Sequence, residues 1–153
     1  IFDRIAVAAR RIDHREVELG IGGAQRDKQI EHGVDRTVRI LSSCAKTALI
    51  VVNEEPTSLT DAYAFIKLTH AAGLSDSVHV VVNEAQTRAD GERVYETLSK
   101  VCQNFLKFRP HLAGIVRFDK NVPDAIRNQM PLLTRHPNTN AAFDVEVIAR
   151  SLL

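Results

Sequence analysis

Residues 47–67 read TALIVVNEEPTSLTDAYAFIK. Ala48 to Val52 form an apolar run that suits a strand buried on both faces. Asn53 ends the run, Glu54 and Glu55 follow, and Pro56 cannot continue a central strand. Thr57, Ser58 and Thr60 are cap-type residues, and Asp61 lies among the acids expected at a helix start, where the helix dipole favours them. Leu59, Ala62, Tyr63 and Ile66 then recur at helical spacing, and Gly73 is placed to close the helix near Ala72. The stretch is a strand, a polar turn and the start of a helix. In an open α/β sheet, ligands bind at that kind of junction.

The same unit repeats downstream. VHVVVN (78–83) predicts a second buried strand ending in Asn83. Residues 88–108 predict a helix whose stripe is Val94, Leu98, Val101, Cys102, Phe105 and Leu106, stopped by Pro110. LAGIVRF (112–118) predicts a third strand, followed by Asp119. A short helix over 123–129 comes next, with Pro131 closing it. Asn138 or Thr139 can cap a last helix over 140–152, with Ala142, Val145, Ile148, Ala149 and Leu152 as its stripe.

Upstream, residues 1–14 carry a helical stripe, residues 15–35 suggest a short strand, a glycine turn and a loop, and residues 36–46 a short helix. The pattern is β-α-β-α-β-α with helices in front. It predicts an α/β fold: a mostly parallel sheet flanked by helices, with right-handed crossovers. The 153 residues read as a single α/β domain or a fragment of one, since the chain opens with Ile1 and Phe2 already inside an apolar helical face.

Composition narrows the function. The chain is 44% hydrophobic and 25% charged, as globular chains are. A net charge of +1 and 5% aromatic residues disfavour nucleic-acid binding by charge or stacking. No apolar run approaches the roughly 20 residues of a membrane-spanning helix, and no signal peptide is visible, so a cytoplasmic protein is expected. Cys44 and Cys102 fall on apolar helix faces without a CxxC pair and read as buried thiols.

Chemistry-bearing residues gather at predicted strand ends: Asn53, Glu54 and Glu55; Asn83; Arg117, Asp119 and Lys120. In a parallel sheet all three groups face one crevice. A strand-end asparagine can offer a donor and an acceptor to a purine edge; it can equally be a turn residue that bonds its own backbone. Glu54, Glu55 and Asp61 could form an acid/base or metal set, or simply a charged rim with a helix-start carboxylate. The six histidines, His14, His32, His70, His79, His111 and His136, are scattered, and His79 reads as a satisfied core or edge residue. No G-x-S-x-G is present. Gly20-Ile21-Gly22-Gly23 matches neither the P-loop nor the dinucleotide template and reads as a glycine turn. No catalytic residue and no metal ligand is assigned.

Five segments carry a resemblance: EPTSLTDAYAFIK (Glu55–Lys67), VVVNEA (Val80–Ala85) with GERVYETL (Gly91–Leu98), FL (Phe105–Leu106), GIVRFDKNVPDAIRNQMPLL (Gly114–Leu133) and HPNTNAAFDVEVIARSL (His136–Leu152). They resemble the MinD/ParA class of P-loop ATPases, and within it the branch controlling flagellar number and placement (FlhG, also called FleN). The likeness runs from near Val34 to the end and corresponds to the C-terminal part of longer proteins. Residues 1–35 match poorly.

The resemblance implies a nucleotide switch that binds ATP or ADP with magnesium and dimerises with nucleotide. By the same likeness Asn83 contacts adenine, and Arg117, Phe118, Asp119 and Val122 belong to the segment closing over the base. Glu55, Thr57 and Asp61 lie near the nucleotide and face a partner subunit. Partners in flagellar assembly follow, and full-length members can sit peripherally on the inner membrane. The chain departs from the pattern in two places. KGGxGKT is absent from these residues, and the family's D-x-G-x-G aspartate is replaced by Gln29 or Glu18, depending on the gap chosen. Phosphate and magnesium handling rest on those residues, so this chain alone is expected not to hydrolyse ATP. A second function class is a non-catalytic interaction module that keeps the fold and the partner surface.

Overall fold

A computed structural model describes residues 47–153. The expectations for residues 1–46, including the helices over 1–14 and 36–46, Cys44, His14, His32, Glu18 and Gln29, lie outside the described residues.

Strand β1 is Ala48–Val52, as its apolar run predicts. Helix α1 is Pro56–Ala71. It starts three residues earlier than the Leu59 stripe suggested, because Pro56 occupies the first turn, where a missing N–H costs nothing. Glu55 is the N-cap and gives no side-chain cap, so Thr57 and Ser58 lie inside the helix. Asp61 falls beyond the first turn, and no acid stands there, so the helix-dipole role expected of Asp61 is lost. Gly73 takes φ +74 just past the C-cap Ala72, as expected.

Strand β2 is Val78–Ala85, two residues longer than predicted. Helix α2 is Arg88–Leu106. It ends before Pro110 because Lys107 turns left-handed, at φ 56. Strand β3 is His111–Arg117, one residue earlier than expected, which leaves Phe118 outside it. Helix α3 is Val122–Arg127, α4 is the short Leu132–Arg135 that the sequence did not suggest, and α5 is Asn140–Ser151. Thr139 caps α5 by accepting the Ala142 N–H at 3.3 Å.

The sheet has the order β1-β2-β3, and both pairings are parallel. Helices α1 and α2 cover one face, where Ile50, Val52, Val80, Val82 and Ile115 meet Phe65, Ile66, Leu98 and Cys102. Two crossovers of the same hand place their helices this way. Helix α5 covers the other face, with Ala141 and Ile148 against Val81 and Val116. Gly114 permits that approach, since a Cβ there would meet Ile148 Cγ1 at 2.4 Å. Gly91 serves α2 likewise, with a Cβ 2.4 Å from Ile115 Cγ2.

Four expectations of burial change. Leu49 and Val51 are half-buried, so β1 is sealed on one face only. Phe105, assigned to the α2 stripe, is 74% exposed, and Ala149 of α5 is also exposed. Both stripes were drawn too wide: each helix rests on the sheet along a narrow line, and these residues lie beside it. Asp144, passed over in that stripe, is buried. The free thiol Cys102 is fully buried, and burial pushes it up to about 11.

Candidate functional site at the carboxyl edge of the sheet

Parallel pairing puts all three strand ends on one rim, with Val52 opposite Val82 and Val82 opposite Ile115. Asn53 and Asn83 are thus neighbours, each directly after a paired valine.

Their side chains differ in use. Asn53 Oδ1 accepts the Glu55 N–H at 3.2 Å, and the Asn53 N–H donates to the buried Ser58 Oγ at 3.2 Å. The β1–α1 turn is closed by these two bonds, so turn chemistry occupies Asn53. Asn83 lies on a β-bulge. Between Val82 and Ala85 strand β2 advances three residues while β3 advances two, from Ile115 to Arg117. Glu84 absorbs the extra residue at φ 60. Asn83 is half-buried, and among the described residues its amide has no hydrogen-bond partner.

Beyond the bulge the ladder resumes once: the Phe118 N–H donates to Ala85 O at 2.8 Å. Phe118 is then 53% exposed at the rim. Asp119 to Val122 form a turn closed by Val122 N–H to Asp119 O, 3.2 Å. Asp119 Oδ1 accepts both the backbone N–H and the side-chain amide of Asn121, at 2.8 and 2.9 Å. The Asn121 N–H chiefly holds the Asp119 carboxyl below its usual range, with help from Thr139 and the Ala141 N–H, against the opposing pull of burial. Lys120 is exposed, and Val122 is half-buried at the start of α3.

Arg117 is committed elsewhere. Its Nε and Nη2 reach Asp144 Oδ2 and Oδ1 at 2.8 and 2.9 Å, and its backbone N–H donates to Oδ2 at 3.0 Å. Burial raises the Asp144 carboxyl, but bonds from Arg117 and the charges of Arg117 and Arg88 outweigh it, so the net shift is downward. Asp144 was missed from sequence. The available signal was a carboxylate at a stripe position of α5, three residues after Ala141 and four before Ile148. Asp124 of α3 is held to about 2 by the Arg135 guanidinium and by His136, at 2.5 and 2.8 Å.

Glu55, Thr57 and Asp61 are exposed at the start of α1 on the same rim, with Thr57 and Asp61 one helical turn apart. No group of three His, Cys, Asp or Glu side chains among the described residues could hold a metal. His79 lies at the opposite edge, stacked on His111 at 5.4 Å, with Nδ1 3.3 Å from Ser77 O. That is the satisfied histidine expected. What the rim offers a ligand is the half-buried amide of Asn83 and the exposed ring of Phe118. The described residues show no set fitted to a nucleotide's phosphates or magnesium.

No family model matches the chain. It is 29% identical to the antiactivator FleN of Pseudomonas aeruginosa over 120 residues, covering 78% of this chain and 43% of FleN. It is 25% identical over 122 residues to the flagellum site-determining protein YlxH of Helicobacter pylori, covering 79% and 41%. An uncharacterised ATP-binding protein of Methanocaldococcus jannaschii is 28% identical over 123 residues, covering 79% and 43%. Among solved structures, the MinD cell division protein of Aquifex aeolicus superposes with a TM-score of 0.59 at 25% identity, covering 78% of this chain and 49% of that one. The chain is similar to FleN and, through YlxH and MinD, to proteins of the MinD/ParA class. Its fold is that of P-loop NTPases. This FleN-like chain spans about two-fifths of the length of the curated relatives it matches, 41 to 43%. Among the described residues no helix is long and apolar enough to cross a membrane.

Proposed function

We propose that this FleN-like chain is part of a nucleotide-dependent switch of the MinD/ParA kind that regulates flagellar number or placement. The names of its relatives support the biological side: an antiactivator, a flagellum site-determining protein and an ATP-binding protein. One observation carries the chemical side: at one rim of the sheet, Asn83 on the bulge is half-buried with no partner for its amide among the described residues, and Phe118 is exposed. In this reading the amide offers its donor and acceptor to the adenine edge. Phe118 and Val122 supply apolar surface over the base, and Arg117 and Asp119 hold the segment that carries them. Glu55, Thr57 and Asp61 face the nucleotide or a second copy of the chain. ATP with magnesium is the expected cofactor. Phosphate and metal ligands are not among the described residues, so the chain alone is expected to show no turnover.

The test is a titration of the full chain with ATP and with CTP, followed by calorimetry. A preference for ATP that Asn83→Ala removes is the expected result. Equal response to both nucleotides, or none, overturns the purine reading. The interaction-module alternative draws on a different observation, the exposed apolar side chains Ile126, Met130, Leu133, Phe143 and Val147 on α3–α5 and the segment joining α3 to α4. Nucleotide silence together with intact folding favours it.

A further inference from the structure

We infer that Asp144 is a positioning residue: from helix α5 it clasps Arg117 and thereby sets the Phe118–Val122 segment at the rim. The role in nucleotide selection rests on the purine reading above; the clasp itself does not.

Three features carry the inference. The first is placement. Arg117 is the last residue of β3, directly before the segment, and Asp144 stands 27 residues later on another element. The second is completeness. One carboxylate, 5% exposed, accepts from the Arg117 backbone N–H and from both ends of its guanidinium fork. A fork gripped at two points, with the backbone gripped beside it, fixes the direction in which the chain leaves the strand. The third is energetic. Asp144 interrupts the apolar face between Ala141 and Ile148, where an aliphatic residue would pack against the sheet without desolvating a charge. With its carboxylate buried and its arginine half-buried, the pair gains little net stability once desolvation is counted, while its two-point fork is directional.

The clasp acts where the sheet itself is weakest. The β2–β3 ladder is interrupted by the bulge just before Ala85 and Arg117, and a single further bond, Phe118 N–H to Ala85 O, follows. Helix α5 is in effect the platform on which the segment is set. Arg117 serves it by being unavailable to a ligand, and lysine could not replace it, having no planar fork.

The experiment uses the full chain, free of nucleotide, with the paired change Arg117→Met and Asp144→Leu, and with Asp144→Asn alone. The apolar pair is expected to keep its melting temperature within about 4 °C of the parent, because such exchanges are often close to neutral. Amide hydrogen exchange at residues 118–122 is expected to rise on the order of tenfold in the apolar pair, as local opening becomes easier. Asp144→Asn keeps one acceptor oxygen and should give a smaller rise. Protection at 118–122 equal to the parent in both variants overturns the clasp. A second arm titrates ATP against CTP, where the apolar pair is expected to lose preference on the order of tenfold through misplacement of the segment. If the parent shows no preference, the purine reading fails while the exchange arm still decides the clasp. If exchange rises but selectivity is kept, the segment is held by Asp144 without selecting the base, and the positioning role is overturned.

Discussion

Asn53 and Asn83 occupy equivalent places on adjacent parallel strands, and the chain spends them differently. At Asn53 the strand runs straight into a proline-started helix, and the amide closes the turn by accepting the Glu55 N–H. At Asn83 a bulge lets the strand continue to Ala85, and Glu84, not the asparagine, takes the strained backbone. The amide there is released from turn duty. A polar side chain is available for a ligand only when the local backbone has satisfied itself by other means. The two junctions also differ in support. The β1 end is closed by its own neighbours, Ser58 and Glu55, whereas the β3 end is held from a distance by α5.

That contrast can be broken at several points. The largest effect is expected at Gly114, where α5 rests on β3. Gly114→Val drives its side chain into Ile148, and overpacking of this kind should cost about 3 kcal/mol in denaturant unfolding. It should raise exchange at residues 117–122 before it does so at the β1–α1 turn. If both junctions loosen together, the separate support of the β3 end is wrong.

Next comes Ser58→Ala, which strips the Asn53 N–H of its acceptor and should cost about 1–2 kcal/mol by thermal or urea unfolding. The rim around Asn83 should be unmoved.

The asparagines themselves give the cleanest crossing. Asn83→Ala is expected to weaken ATP binding roughly tenfold, about 1.4 kcal/mol, with little change in melting temperature. Asn53→Ala should do the reverse, costing about 1 kcal/mol of stability and leaving nucleotide affinity alone. Identical behaviour of the two variants would dissolve the distinction between them.

The smallest effect concerns acid. Asp124 is lowered from 3.8 to about 2 by the Arg135 guanidinium first and His136 second. A carboxyl lowered on folding contributes stability above its unfolded value, and the contribution fades as pH falls from near 3.8 through about 2. Asp124→Asn should flatten the fall in melting temperature across that window. An unchanged slope would mean that the α3–α4 clamp contributes nothing.

Much of the architecture was legible in short-range pattern. The β1 run, the period of α2, the Gly73 stop and the Thr139 cap are set by residues within a turn of one another, and backbone sterics and local hydrogen bonds decide them. The convergence of strand ends followed once the strands were taken as parallel. The site was legible only as a collection of polar residues. Nothing near Asn83 announces a bulge, because a bulge is a mismatch between two strands and is absent from either one alone. Phe105 shows the same limit on the apolar side: its spacing fits the α2 stripe, and its exposure follows from how far the sheet extends beneath it.

The sequence by itself determined which segments become strands and helices, since that choice is made over a few residues by period and by the conformations proline and glycine allow. The tertiary structure alone decided which polar groups are spent and which are free. Arg117 looks like a ligand-binding arginine until Asp144, 27 residues away, is brought against it. Hydrogen-bond capacity is finite, and its allocation is settled only when distant elements pack together.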